Sequence, residues 1–181
     1  MQLGLIGLGA MGGSMAKRLG RDHRVVVYDL DAEAVRSAVA AGAESSANVA
    51  ELVGALSGPR VVWVMLPAGA PTEQTITELS GLLSAADVIV DGDNSHFRDS
   101  IRRAGSLAEK GIHFLDVGTS GGFEGGDHGY ALMIGGLDSV TQRLAPSSKF
   151  WRTTAKRVGS GSGLTAWGTS RRWFTMVSST A

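Results

Sequence analysis

The chain contains a glycine-rich turn whose spacing suits the binding of a pyrophosphate. A short apolar strand ends at Ile6 and is followed directly by GLGAMG, after which apolar residues recur at helical spacing. In such a turn the first glycine permits a tight reversal, the second lets a pyrophosphate approach the backbone, and the third lets the helix pack on the strand. The helix N-terminus adds free N–H groups and a partial positive charge. The predicted dinucleotide-binding residues of the turn are Gly7, Leu8, Gly9, Ala10, Met11 and Gly12.

An acidic residue stands where a dinucleotide would present its adenosine ribose. Asp29 follows the apolar run Arg24–Tyr28 and lies 20 residues after Gly9. Its carboxylate would accept hydrogen bonds from the ribose hydroxyls and repel a 2′-phosphate, and no arginine follows closely enough to compensate. This chemistry favours NAD over NADP. The alternative is an N-cap for a helix beginning near Ala32, although Asp31 is better placed for that role.

Three further loops follow apolar strands and are candidates for ligand contact. They are LPAG at 66–69, DGDNS at 91–95 and GTSGG at 118–122. In open α/β sheets ligands bind beyond the carboxyl ends of the strands, so these loops and the glycine turn are expected to meet at one edge.

The elements that must position these loops alternate regularly between strand and helix. The apolar runs are continuous rather than alternating, which is typical of a parallel sheet covered on both faces. The sequence therefore predicts a doubly wound α/β domain with a mostly parallel sheet. The predicted strands are Leu3–Ile6, Arg24–Tyr28, Val61–Leu66, Val88–Val90, His113–Asp116 and Ala131–Ile134. Beyond the helix that follows the glycine turn, the predicted helices are Ala32–Ala41, closed by Gly42, Asn48–Leu56, capped by Asn48 or Ser46, Thr72–Leu83 and Ser100–Lys110.

Composition narrows the classes of function. Basic and acidic residues balance at 17 each, so the charge pattern indicates neither nucleic acid nor an anionic membrane as a partner. There is no cysteine and no apolar stretch of the ~18 residues that a membrane span requires. A cytoplasmic location is expected. Glycine is abundant, at 26 of 181 residues against a usual ~7%, and it clusters in tight loops.

The sequence predicts no metal site. The four histidines, His23, His96, His113 and His128, lack metal-ligand spacing, and His113 is expected within a strand. The remaining candidate ligands are Asp91, Asp93, Asp116 and Asp127. Since these acids show no repeated ligand pattern, they are interpreted as solvated turn residues.

Four ordered motifs together resemble a known family. GLGAMG, VMLPAG, DGDNSHFRDS and DVGTSGG with GYALMIGG are similar to the β-hydroxyacid dehydrogenase superfamily, and within it to the short bacterial form of decarboxylating 6-phosphogluconate dehydrogenase. The resemblance covers Met1 to about Pro146. Hydroxyisobutyrate-type relatives usually carry proline where this chain has Gly118, and they lack the Asp-Gly-Asn-Ser type of loop.

The resemblance implies a Rossmann-type domain and specific roles for several loop residues. Asn94 would touch both the cofactor and the sugar acid, since its amide offers a donor and an acceptor. The residues implied on the nicotinamide side of the cofactor are Leu66, Pro67 and Ala68. The residues implied to hold the sugar acid are Ser120, Gly121 and Gly122, as well as Asn94. Read without the family, Asn94 is a turn residue and Ser120–Gly122 a tight loop. Relatives of the NADP type carry Asn-Arg-Thr after the second strand, where this chain has Asp-Leu-Asp.

The resemblance also implies an activity whose catalytic groups do not appear in this chain. The family oxidises and decarboxylates 6-phosphogluconate to ribulose 5-phosphate, in the pentose phosphate pathway, with a lysine and a glutamate on a helix bearing a segment such as HFAKMVHNGIEYG. No such segment is present, and no glutamate follows Glu124. The catalytic set is therefore predicted to be missing, together with the helical domain that supplies phosphate-binding arginines and most of the family's homodimer interface.

The sequence after residue 146 loses its periodicity, and a frameshift accounts for it. Residues 1–146 are predicted to form the dinucleotide-binding domain, and residues 147–181 a poorly ordered tail outside the family. Back-translation of Ser147–Thr153 with suitable codons, shifted by one base, can encode IFEVLAD. The same shift applied to Arg172–Ala181 can encode MVHNGIEYG, the family's catalytic segment. An ordinary divergent tail is the alternative.

Three functions remain open at this point. The chain is a truncated, inactive product of the dehydrogenase family, a stand-alone NAD-binding regulatory module, or a partly folded frameshift product. A fragment of a 3-hydroxyisobutyrate-dehydrogenase-like enzyme is a further alternative.

Overall fold

A computed structural model of the chain describes residues 1–93, 95–120, 130–144 and 176–177. Within these ranges it forms a single sheet of eight strands in the order β3-β2-β1-β4-β5-β6-β7-β8. The strands are β1 (Gln2–Ile6), β2 (Arg24–Tyr28), β3 (Glu44–Ser45), β4 (Val61–Val64), β5 (Val88–Asp91), β6 (His113–Ser120), β7 (Ala131–Gly135) and β8 (Met176–Val177). The pairings from β3 through β6 are parallel, whereas β7 pairs antiparallel with β6 and β8 antiparallel with β7. The prediction of a doubly wound, mostly parallel sheet is confirmed.

Helices connect the parallel strands and have local signals at their ends. They are α1 (Ala10–Leu19), α2 (Ala32–Ala40), α3 (Val49–Gly54), α4 (Ala70–Leu82), α5 (Phe97–Ala108) and α6 (Asp138–Leu144). Of the two caps proposed for α3, the structure selects Asn48, which accepts a hydrogen bond from Glu51 N at 2.8 Å. The end predicted for α2 is confirmed by Gly42, whose φ of +100° reverses the chain just beyond the helix.

Apolar side chains alternate between the two faces of the sheet. Leu3 and Leu5 of β1 join a cluster that contains Met15 of α1 and Val140 of α6. Ile6 joins the opposite cluster, built around α3, α4 and α5. Both faces of the sheet are therefore covered, which explains the unbroken apolar runs in the sequence.

The structure differs from the prediction at several strands. β3 and β8, with only two residues each, were not predicted. β4 ends at Val64, after which Met65 still donates its N–H to Ile6 O at 2.7 Å. β6 continues through Ser120, although 118–122 was interpreted as a loop, because 118–120 pair with 131–133 of β7. Apolar periodicity carries no information about the direction of a partner strand, so it could not reveal this extension.

Candidate cofactor-binding site

A cleft of about 500 Å³ opens at the carboxyl ends of the parallel strands. It is lined from β1, β2, β4, β5 and β6, where the sequence predicted that the loops would meet. The lining residues are Gly7, Gly9, Ala10, Met11, Gly12, Asp29, Met65, Leu66, Pro67, Gly92, Asp93 and Thr119.

The three glycines of the turn meet three different surroundings. Gly7 has a φ of +92°, and a Cβ there would lie 2.3 Å from Met65 O. A Cβ on Gly12 would lie 2.0 Å from Gly7 O, so this glycine permits the close contact between helix and turn. A Cβ on Gly9 would meet nothing within 4 Å, although Gly9 lines the cleft. The open space beside Gly9 fits a ligand that approaches the backbone, such as a pyrophosphate.

The N-terminus of α1 presents its positive end to the cleft. Its N-cap is Gly9, which makes no side-chain cap hydrogen bond, and the first turn contains no acidic residue. Lys17 and Arg18 lie in the last turn, where their charge complements the helix dipole. The first residues of the helix, Ala10 and Met11, line the cleft and can offer N–H groups to an anion.

Asp29 links the end of β2 to the glycine turn. Its Oδ2 accepts the Leu8 N–H, and its Oδ1 accepts the Asp31 N–H at 2.8 Å. Asp31, not Asp29, caps α2, by accepting from Glu33 N at 2.9 Å. Asp29 lines the cleft, and each of its oxygens keeps further acceptor capacity, as the binding of a ribose diol requires.

The end of β4 supplies the apolar wall of the cleft. Leu66 and Pro67 line it, whereas Ala68 is exposed and not among the lining residues. Thr72, fully buried in the first turns of α4, has its hydroxyl 3.0 Å from Pro67 O and so secures this loop against the helix.

The loop after β5 is held by a buried ion pair. Arg103 of α5 donates to Asp91 Oδ2 at 3.0 Å and to Ser95 Oγ at 2.9 Å, so one guanidinium fastens both ends of the segment 91–95. Arg103 and Asp91 are 4% and 0% exposed. Arg103 also donates to Glu73 Oε2 at 2.8 Å, which ties α5 to α4.

Burial perturbs the acids of this loop. It raises the pKa of Asp91 to about 6, against the lowering effect of the Ser95 hydrogen bond and the Arg103 charge. Burial likewise raises the pKa of Asp116. Conversely, hydrogen bonds from Arg102, and then Arg103, lower the pKa of Glu73 to about 2. The interpretation of Asp91 and Asp116 as solvated turn acids is therefore wrong, because tertiary packing of α5 and β6 covers them. Asp127 lies outside the described residues.

The remaining candidate residues divide into described and undescribed positions. Ser120 is exposed at the end of β6, beside Thr119, which is buried and lines the cleft. Asn94, Gly121 and Gly122 lie outside the described residues.

Sequence reasoning assigned no individual role to four lining residues, although it placed Gly92, Asp93 and Thr119 in loops expected at this edge. The need for glycine at position 92 is visible only in the structure, where a Cβ would lie 2.0 Å from Trp63 Nε1. The lining residues without an assigned role in the sequence are Met65, Gly92, Asp93 and Thr119.

The described ranges contain neither a candidate metal centre nor a candidate membrane span. No group of three or more histidine, aspartate or glutamate side chains there is arranged to hold a metal ion. None of the helices in the same ranges has the length and apolar character needed to traverse a bilayer.

The fold and the cleft define a class of protein. A parallel sheet, a glycine turn leading into an uncapped helix N-terminus, and an acid at the end of the second strand are the features of a Rossmann-type dinucleotide-binding domain. Residues 2–156 match the family model described as the NAD binding domain of 6-phosphogluconate dehydrogenase, and the chain belongs to this family.

Individual relatives agree with this assignment. The chain is 46% identical over 147 residues to an NAD(+)-dependent, decarboxylating 6-phosphogluconate dehydrogenase of Haloferax volcanii, covering 81% of this chain and 48% of that protein. A solved 6-phosphogluconate dehydrogenase of Plasmodium falciparum, described in complex with NADP+ and with 6-phosphogluconate, matches with a TM-score of 0.76 and 26% identity, over 81% of this chain and 33% of that one. A Mycobacterium tuberculosis 3-hydroxyisobutyrate dehydrogenase gives a TM-score of 0.74 and 28% identity, over 81% and 50%. The chain thus spans about half the length, or less, of these relatives.

Proposed function

We propose that this chain binds NAD in the cleft and is the cofactor domain of a decarboxylating 6-phosphogluconate dehydrogenase. The observation that carries the proposal is the joint arrangement of an open Gly9, the uncapped N-terminus of α1 and the Asp29 carboxylate along one cleft. NAD would supply a hydride acceptor, and a sugar-phosphate acid would supply the hydride. The chain's own residues would bind and orient the two molecules.

Each part of the dinucleotide has a matching group in the cleft. The pyrophosphate would lie against the N–H groups of Ala10 and Met11, where the helix dipole favours negative charge. The adenosine ribose would donate its hydroxyls to Asp29. Leu66 and Pro67 would exclude water on the nicotinamide side, since they form the apolar wall beyond the glycine turn.

Asp29 supports NAD rather than NADP as the cofactor. Its carboxylate is held against the turn by the Leu8 N–H, so it cannot swing away from a 2′-phosphate without losing that hydrogen bond. The nearest arginine on α2, Arg36, forms an ion pair with Glu33. We expect NAD to bind at least tenfold more tightly than NADP, a difference of ~1.4 kcal/mol.

Titration calorimetry with both cofactors tests this preference. Asp29→Ala should narrow the difference between NAD and NADP, while Glu78→Gln, which removes an exposed charge on α4, should leave it unchanged. Equal or tighter binding of NADP by the unmodified chain would contradict the assignment of NAD.

The 181 residues assayed alone should not oxidise 6-phosphogluconate. The reaction needs a group that accepts the proton of the substrate hydroxyl and another that protonates the enol. No lysine or histidine in residues 1–146 matches the family's base, and positioning of the reactants accelerates the reaction only when such a group is in place. The test is NADH formation at saturating NAD and substrate. Turnover by this chain would show that its catalytic groups lie elsewhere than we have inferred.

We propose further that the codons for residues 147–181 are read one base out of frame. The support is that a single shift yields an amphipathic helix at the start of this segment and the family's catalytic segment at its end. The family match itself extends to residue 156. The coding DNA across codon 146 tests the proposal: a downstream frame that encodes no helical domain would refute it.

A 3-hydroxyisobutyrate-type dehydrogenase is the second candidate. The solved 3-hydroxyisobutyrate dehydrogenase has a TM-score of 0.74 to this chain, against 0.76 for the solved 6-phosphogluconate dehydrogenase. The two can be separated by substrate binding. With NAD present, the first candidate predicts that 6-phosphogluconate raises the melting temperature of the chain more than 3-hydroxyisobutyrate does.

A further inference from the structure

The cleft contains a second carboxylate, at the end opposite Asp29. Asp93 follows β5, lines the cleft and is half-buried. The roles proposed for the glycine turn and the apolar wall leave Asp93 without a ligand to bind.

The Asp93 side chain is held from one side only. Its Oδ2 lies 3.3 Å from Thr72 Oγ1 and 3.3 Å from Ser95 Oγ. Each of these hydroxyls also has a closer acceptor at 3.0 Å, Pro67 O for Thr72 and Asp91 Oδ2 for Ser95. Its backbone N–H donates to Asp91 Oδ1 at 3.3 Å. Within the described part of the chain, no donor is bonded to Asp93 Oδ1. Among the described residues, Oδ1 therefore keeps its acceptor capacity for a ligand in the cleft.

The position of Asp93 has an electrostatic cost. Burial is the main cause of the raised pKa of Asp91, and the negative charges of Asp116 and Asp93 add to it. Arg103 is bonded to Asp91, Ser95 and Glu73 rather than to Asp93. A neutral residue at position 93 would avoid this repulsion.

The strand order places Asp93 and Asp29 on opposite sides of the glycine turn. Along the sheet, β2 is followed by β1, β4 and β5, so the cleft passes from Asp29 to the turn, then to Leu66, then to Asp93. Neighbouring strands are ~4.8 Å apart, so β5 lies about 10 Å from β1. A dinucleotide has the same order, since its two ribosides flank a central pyrophosphate.

We propose that Asp93 binds the cis-diol of the second ribose of the dinucleotide, the one that carries the nicotinamide. This inference rests on the proposed function, in which the pyrophosphate occupies the glycine turn and the first ribose contacts Asp29. Oδ1 accepts the ribose hydroxyls, while Oδ2 remains beside the hydroxyls of Thr72 and Ser95. Asp93 is thus a second determinant of cofactor affinity. It contacts the nicotinamide ribose, which ADP lacks.

Three probes that share one half of the cofactor test the proposal. ADP has only the first ribose, ADP-ribose has both, and NAD has both together with the nicotinamide. The full chain and its Asp93→Ala and Asp93→Asn variants are titrated with each by calorimetry, with Glu78→Gln as the control for loss of one negative charge. Circular dichroism and the melting temperature verify that the variants fold.

We expect Asp93→Ala to weaken the binding of NAD and of ADP-ribose about tenfold, because hydrogen bonds to a charged acceptor are lost. The affinity for ADP should stay within twofold. Asp93→Asn, which keeps an acceptor oxygen and the size of the side chain, should show a smaller loss of the same pattern. Unchanged binding of ADP-ribose and NAD by both variants would overturn the inference alone. Equal losses for ADP and ADP-ribose would also overturn it, since the effect would then be general. If the unmodified chain binds none of the three probes, the proposed function fails and the inference fails with it.

Discussion

The two ends of the cleft present different kinds of group to a ligand. At the β1–β2 end the contacts come from backbone: glycines at 7, 9 and 12, the N-terminus of α1, and one acid that braces the turn. At the β5 end they come from side chains: Asp93 faces the cleft, and Arg103 secures both ends of its loop through Asp91 and Ser95.

The structure of the first end is fixed by backbone geometry, whereas that of the second end is fixed by charge. At Gly7 and Gly12 a Cβ would collide with backbone atoms, so the tolerance of substitution at these two positions should be very small. The β5 loop depends on a buried pair of opposite charges, which can be weakened in steps by a changed partner or by a proton. Substitutions at the two ends should therefore differ in the size of their effect and in their dependence on pH.

The largest effect is expected at the third glycine of the turn. Gly12→Ala would bring a Cβ to 2.0 Å from Gly7 O. Rotation of a side chain cannot relieve this contact, because the Cβ is fixed by its own backbone and the oxygen belongs to the backbone of the turn. We expect a loss of more than ~4 kcal/mol in the free energy of unfolding, together with loss of NAD binding. Urea denaturation measures the first and calorimetry the second.

The matched control is Gly105→Ala in the exposed middle of α5, where a Cβ meets nothing within 4 Å. It should raise the free energy of unfolding by about 0.5–1 kcal/mol, because alanine favours the helix. Similar stabilities for the Gly12 and Gly105 variants would mean that the turn is not constrained by geometry.

The next largest effect is expected at the buried ion pair. Arg103→Met leaves Asp91 without its cation and should cost about 3 kcal/mol in the free energy of unfolding at neutral pH. The neighbouring Arg102 is exposed and forms its ion pair with Glu73 at the surface, so Arg102→Met should cost less than ~1 kcal/mol.

Adding Asp91→Asn to the Arg103 variant should recover part of its stability, since the buried charge is then removed as well. If the double variant is as unstable as the sum of the two single variants, Arg103 acts by packing rather than by charge.

The smallest of the three effects concerns pH. The pKa of Asp91 in the folded chain, about 6, lies above its ordinary value of 3.8, so folding favours the protonated form. A raised carboxyl pKa adds stability as pH falls through 6 towards 4 and gives none above 6. Relative to Asp91→Asn, the unmodified chain should gain about 2 kcal/mol between pH 7 and 4.5.

Subtracting the free energy of unfolding of the Asp91→Asn variant removes the contributions of the other carboxylates. Glu73 is among them: its pKa is about 2, so the stability it contributes is lost only below pH 4.5. A difference that stays constant between the two pH values would show that Asp91 does not titrate in this range.

Sequence reasoning succeeded where the determinants are local. The glycine turn, Asp29 and the Asp31 cap lie within short stretches of chain, and their spacing alone predicts a strand, a turn and a helix. The loop after β5 was also located correctly, because its strand is a continuous apolar run. The family assignment drawn from these motifs is confirmed.

Reasoning from the sequence failed where distant segments meet. Arg103 reaches Glu73, 30 residues away, and only the packing of α5 against α4 reveals that contact. The burial of Asp91 and Asp116 follows from the packing of α5 on the sheet. The need for glycine at 92 follows from its contact with Trp63 of the neighbouring strand β4. The antiparallel direction of β7 likewise depends on its partner and not on its own residues.

The central position of β1 sets an order of events during synthesis. Gly4 of β1 pairs with Val62 of β4, so this side of the first strand waits for a partner 58 residues further along. At about 5–20 residues per second, β4 emerges roughly 3 to 12 seconds after β1. Met65, just after β4, forms the wall against which Gly7 is packed. Until that wall arrives, the nascent chain exposes an unpaired apolar strand edge, the kind of edge at which chains aggregate.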